Sequence, residues 1–192
     1  MDCQVVHICD YIPARIRHAL AELPETLDET YKRTLRGINK ANWEFAHRMF
    51  QFVSVASRPL CVKELADLLA FDFDAGSIPK FYEDWRLEDP VDAVLSTCST
   101  LLAIVNDQCS LIIQFSHFSV KEFLTSTRLA EATDIISRRY HISITATHTK
   151  ACLGILLHLN NDVTSGRLKD FPLAEYAAKH WVDHARLEDV YR

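Results

Sequence analysis

The sequence predicts a mainly α-helical chain built on a winged helix: three helices, a two-stranded β-hairpin and a helix, followed by an α-helical extension. Three observations predict it. Glycine and proline are scarce, 4 and 6 in 192 residues, which disfavours an all-β fold of many turns. Apolar residues recur at helical spacing along most of the chain. One stretch, residues 101–124 (LLAIVNDQCSLIIQFSHFSVKEFL), reads instead as two short strands that run straight into a helix.

Taken in order, residues 12–22 have helical spacing, and Leu23-Pro24 interrupts it because proline pushes the preceding residue out of helical geometry. Thr26 and Glu29 form a capping box for a helix whose stripe is Leu27, Tyr31, Leu35 and Ile38. Gly37 and Asn39 end it. Residues 41–56 are apolar on nearly every side (Trp43, Phe45, Ala46, Met49, Phe50, Phe52, Val53, Val55), which predicts a central core helix. After the break at Ser57-Arg58-Pro59, Val62 to Phe71 forms a second helix. A long polar connection with a short turn of its own follows. Asp89-Pro90 is an N-cap and first-turn proline, opening a third helix over residues 90–99.

Residues 101–105 are an apolar run of strand length, Asn106, Asp107 and Gln108 are turn-formers, and 111–115 return with Leu111, Ile113 and Phe115 on one face. Ser119 and Glu122 read as a capping box for the next helix, with His117 in the elbow before it. Beyond Leu124 the pattern is helical: an amphipathic stretch over 130–139, a mostly apolar one over 140–159, a turn region over 160–166, and a last helix opened by Phe171-Pro172. The expected division is 1–39 as a helical linker closing an upstream module, 40–128 as the winged-helix domain, and 129–192 as a helical domain leading toward repeats.

Composition narrows the function. A net charge of −5 argues against nucleic-acid binding, which needs a concentrated cationic face. The third helix carries Asp92 and no Lys or Arg, with Glu88 and Asp89 just before it, so phosphates would be repelled. No apolar run reaches membrane-spanning length, and the N-terminus has no basic segment of the secretory kind. The six cysteines (Cys3, Cys9, Cys61, Cys98, Cys109, Cys152) include no C-x-x-C pair and read as reduced, packed thiols of an intracellular, cytoplasmic protein.

Catalytic patterns are lacking, and no enzyme activity is expected. The four glycines are isolated and none precedes a lysine, so no phosphate-binding loop exists. Ser116, His117 and Asp107 lack a nucleophile elbow. His180 and His184 lie one helical turn apart, as zinc ligands would, but Trp181 stands where a metalloprotease needs Glu; His148 and Cys152 share that spacing without completing a ligand set. A metal-dependent hydrolase on His180 and His184 is the enzymatic rival, and no metal is expected.

The segments LPETLDETYKRTLRGI, SRPLCVKELADLLAFD, LSTCSTLLAIV, FSHFSVKEFLTS, ACLGILL and FPLAEYAAKHWVDHA, in this order, resemble the region just downstream of the NACHT NTPase domain in large fungal NACHT–ankyrin proteins. That region is similar to the winged-helix domain named after GPI inositol-deacylase-like proteins. The resemblance spans about residues 12–186. It implies a non-catalytic regulatory module of a STAND-type signal-transduction NTPase, packing on the nucleotide-binding domain to hold the ADP-bound resting state, in fungal nonself recognition or cell death. It further implies that His117, at the end of the wing, contacts the β-phosphate of ADP, with ADP or ATP reached only through an associated NACHT domain. An imidazole donor beside a helix N-terminus is a suitable anion partner. The implied partners are that NACHT domain, in cis or in trans, and ankyrin or other repeats downstream. The sequence departs from the family in lacking both, and it begins within the connecting helix as a fragment or truncated product would. The binding rival is a free-standing adaptor.

Overall fold

The computed structural model describes residues 26–98, 100–107, 110–131, 138–142, 147–159 and 167–190. The helix expected over 12–22, the turn region over 160–166, most of the amphipathic stretch over 130–139, and Cys3, Cys9 and Cys109 lie outside them.

Helix α1 (Leu27–Gly37) starts where Thr26 Oγ1 accepts the Glu29 N–H at 3.2 Å and buries Tyr31 and Leu35. A 3₁₀ turn (Lys40–Asn42) leads to α2 (Trp43–Val55), whose Ala46, Met49, Phe50 and Phe52 are buried, as expected of a central helix. Then come β1 (Leu60–Cys61), α3 (Val62–Leu69), β2 (Phe71–Asp72), β3 (Lys80–Phe81), a 3₁₀ turn (Glu83–Trp85) and α4 (Pro90–Cys98). The wing is β4 (Leu102–Asp107) with β5 (Ser110–Phe115), followed by α5 (Phe118–Leu124) and the short α6 (Thr127–Ala130). After residues 138–142, α7 (Thr147–Leu159), a 3₁₀ turn (Arg167–Asp170) and α8 (Pro172–Val190) form a helical layer.

Several expectations are corrected. The wing is part of a three-stranded antiparallel sheet, β1-β5-β4, with Leu60 opposite Ile113 and Cys61 opposite Ile112. Strand β1 is two residues long, too short to show alternation. The second helix ends at Leu69, because Phe71 leaves it to pair with Phe81 in a second hairpin. Gly76 turns that hairpin's loop at φ +147°, where side chains other than hydrogen are strained. Strand β4 continues through Asn106 and Asp107, beyond the expected end. Tyr140 and Ile142 are buried outside any helix, and the next described helix starts at Thr147.

The apolar interior is continuous from Tyr31 on α1 to Ala177 on α8. Two polar clamps tie the helical layer to the winged helix. Buried Asp67 on α3 accepts the Leu173 N–H (3.1 Å) and Arg86 Nε–H (2.9 Å). Arg86 also donates to the Asp170 carbonyl at 2.7 Å and covers the Phe81–Phe171 ring pair from one side, 5.2 and 4.6 Å from their centroids. Burial pushes the Asp67 carboxyl up from its ordinary range, opposed by the Leu173 N–H and Arg86. The second clamp is Tyr176. Its hydroxyl accepts the Ser57 N–H at 3.0 Å, which leaves its proton to be donated to His184 Nε2, 2.8 Å away. Arg58 covers the Tyr176 ring at 4.9 Å and forms an ion pair with buried Glu64, which also accepts the Cys61 N–H at 2.8 Å.

Candidate functional site

The site builds up at the elbow where β5 hands the chain to α5. His117 is the N-cap of α5, in extended conformation (φ −149°, ψ 146°). Its Nδ1 accepts the Ser119 N–H at 3.3 Å and lies 2.6 Å from Ser119 Oγ. An imidazole nitrogen that accepts a backbone N–H carries no proton, so the Ser119 hydroxyl donates to Nδ1 as well. The Tyr31 hydroxyl then donates to Ser119 Oγ at 2.7 Å. With Nδ1 accepting, this chain of three groups orients the ring and leaves Nε2 as its N–H donor. His117 is exposed, and Nε2 has no partner among the described residues. The elbow thus presents an oriented, solvent-facing N–H donor.

The expected capping box at Ser119 and Glu122 is displaced two residues. His117 does the capping, because an unprotonated imidazole nitrogen reaches the first-turn N–H as a hydroxyl oxygen would. Ser119 is freed to link His117 to Tyr31. Tyr31 also packs on Phe123, ring centroids 5.3 Å apart, and Asp28 on α1 pairs with Arg128 on α6 at 2.9 Å. Helix α1 therefore backs the elbow. Phe118 lies beside the imidazole, 4.3 Å between centroids, and is 69% exposed.

The GPI inositol-deacylase winged helix domain family matches residues 31–135, more than half of the chain. The chain belongs to that family. The match runs from α1 through α6, so the elbow and the whole sheet lie inside it. A relative from Monascus ruber, "Azaphilone pigments biosynthesis cluster protein L", is 29% identical over 172 residues, covering 86% of this chain and 36% of its own length. The chain thus spans about a third of that relative. No solved structure matches.

The other candidates of this winged-helix chain do not assemble into a catalytic or metal-binding cluster among the described residues. His180 Nδ1 is 3.4 Å from Asp183 Oδ2 near the surface, whereas His184 is buried, bonded to Tyr176 and 4.9 Å from the His148 ring. Among the described residues no three His, Cys, Asp or Glu side chains converge as a metal site. Cys152 is buried on α7 and its thiol is pushed up to about 12 by burial. Cys61, Cys98 and Cys152 are unbridged. Ser116 donates to the Thr100 carbonyl at 2.8 Å, away from His117. Asp107 lies at the opposite end of the hairpin from the elbow.

Sequence reasoning missed Tyr31 and Ser119 as the holders of His117, and missed the buried Tyr176–His184 pair. Tyr31 is separated from Ser119 by 88 residues, and a single sequence carries no signal for such a contact.

Proposed function

We propose that this chain is a non-catalytic regulatory module that packs on the nucleotide-binding domain of a STAND-type NTPase and helps hold its ADP-bound resting state, in fungal nonself recognition or cell-death signalling. The observation that carries the reading is the outward Nε2–H of His117, fixed by Ser119 and Tyr31 at the end of the wing. A donor held in one orientation before its ligand arrives meets an anionic oxygen without further loss of side-chain freedom. Exposed Phe118 beside it, with Leu27 61% exposed on α1, supplies apolar surface for a neighbouring domain to cover. The family membership and a relative much longer than this chain support a module embedded in a larger protein. ADP enters only through the partner domain, and the working compartment is the cytoplasm.

The test is calorimetry of ADP binding to this chain alone and to the chain fused behind a NACHT-type domain, each with and without His117→Ala. Binding is expected only in the fusion, weakened in the variant by about 1–3 kcal/mol, the cost of losing a hydrogen bond to a charged group. An unchanged affinity in the fused variant removes the phosphate role and leaves a packing module.

The free-standing adaptor has its own supporting observation. On the helical layer Leu153 and Leu157, one turn apart on α7, are exposed, as are Trp181 and Val182 on α8, which is apolar surface that a partner could cover. Self-association in sedimentation, lost on Leu157→Ser, would favour the adaptor.

A further inference from the structure

At the other end of the sheet from His117, the wing overhangs an apolar groove. Leu111 lies on the same side of β5 as Ile113, because side chains two apart on a strand share a face. Ile113 is buried in the core, but Leu111 projects beyond it and is 43% exposed. With Val62 and Lys63 at the start of α3 and Pro90 and Val91 at the start of α4, it lines a groove of about 410 Å³. That volume lies in the ~300–1,000 Å³ range of pockets that receive ligands. One turn along α4, Leu95 follows Val91 at i+4 spacing and is 42% exposed, so the apolar strip continues along the helix.

The rim is acidic. Along α4, Asp89 directly precedes Pro90, Asp92 directly follows Val91 and Glu88 is one residue further back, whereas Asp107, opposite Ser110 across the hairpin, shares the neighbouring depression with Arg58 and Glu64. Lys63 is the one cation among the described lining residues. In a nucleic-acid-binding winged helix this helix and wing would carry positive charge. Here the same face combines aliphatic anchors with carboxylates.

We propose that this groove docks a protein segment whose apolar side chains are flanked by lysine or arginine, laid along α4 as an amphipathic helix. The aliphatic strip seats the apolar face, and the rim selects the basic flank over an acidic one. Leu111 lies six residues before His117, about 20 Å at ~3.3 Å per residue, so both ends of the sheet can be engaged at once. The proposal therefore does not depend on His117.

The test titrates the isotope-labelled chain with a synthetic leucine–lysine peptide of helical leucine spacing, and with its leucine–glutamate counterpart, followed by NMR. The expected result is saturable binding of the lysine peptide, with amide shifts centred on Lys63, Val91 and Leu111. Leu111→Ser should weaken binding roughly tenfold, as truncating an anchor does. The pair Asp89→Asn and Asp92→Asn, which keeps the N-cap of α4, should also weaken it, and Leu157→Ser on α7 should not. If Leu111→Ser disturbs the free chain, the asparagine pair decides. The proposal is overturned by equal binding of the glutamate peptide, by shifts centred on α7 and α8, by no saturable binding, or by a dimer of the free chain that Leu111→Ser dissolves.

Discussion

Tyr176 shows what one buried hydroxyl does at a seam. It accepts from the Ser57 backbone, donates to His184, and its ring lies under Arg58. Tyr176→Phe keeps the ring and removes the hydroxyl, so the Ser57 N–H and His184 Nε2 both lose a partner in a part-buried place. Leaving the Ser57 N–H unpaired costs about 1–3 kcal/mol. The variant should melt lower in calorimetry while keeping its helical circular dichroism, and unchanged melting would mean that water replaces the hydroxyl. At the elbow the same residue-scale logic works outward: Tyr31 and Ser119 satisfy one side of the imidazole so that the other faces solvent.

Among the elements, α7 depends on an absence. A Cβ at Gly154 would lie 2.8 Å from the Phe71 ring and 3.1 Å from the Pro79 carbonyl oxygen, so this glycine lets α7 settle against the β2–β3 hairpin. Alanine would gain about 1 kcal/mol in helix propensity, but crowding a packed ring costs ~1–3 kcal/mol. Gly154→Ala is expected to lower the melting temperature, and adding Phe71→Leu should recover part of the loss. A rise in the single variant would mean that the hairpin yields easily. Elements of this kind were the least legible in the sequence. The helices and the wing could be read because Phe50, Val94, Ile113 and Phe123 repeat at the spacing of their structures. Strand β1 and the β2–β3 hairpin have two residues per strand, and the alternation in Phe71-Asp72-Phe73-Asp74 passed for loop. The elbow was legible from the strand pattern and the helix start after it, whereas its phosphate role came only from resemblance to a family. Its tautomer and its support by α1 needed the fold, since Tyr31 reaches Ser119 across most of the winged helix.

On the scale of the whole molecule, acid should loosen the contact between the two layers. His148 is buried on α7, donates Nε2–H to the Phe52 carbonyl at 2.9 Å, and is held down at about 3 by burial and then by neighbouring His184. Burial also lowers His47, which faces the His141 carbonyl and has Arg48 and Arg139 nearby. An unfolded histidine takes its proton near pH 6.5, so between there and about pH 3 the unfolded chain binds more protons. Stability is then full above pH 6.5 and falls with pH, by at most about 1.4 kcal/mol per unit for each such histidine. Melting curves from pH 7.5 to 4.5 should show that slope, and His148→Gln, whose amide can still donate to Phe52, should flatten it. An equal slope in the variant would assign the effect elsewhere.

The packing of Arg86 over the Phe81–Phe171 pair has a mechanical consequence. It fastens the chain just ahead of α8, while the Asp67 bond to Leu173 N–H pins that helix's first turn. A helix of 19 residues extends about 28 Å beyond such an anchorage. Turning the winged helix by about 10° would sweep the tip of α8 through roughly 5 Å at that length. Because Tyr176 and buried His184 hold α8 further along its length, such a turn would carry the helical layer with it as one body.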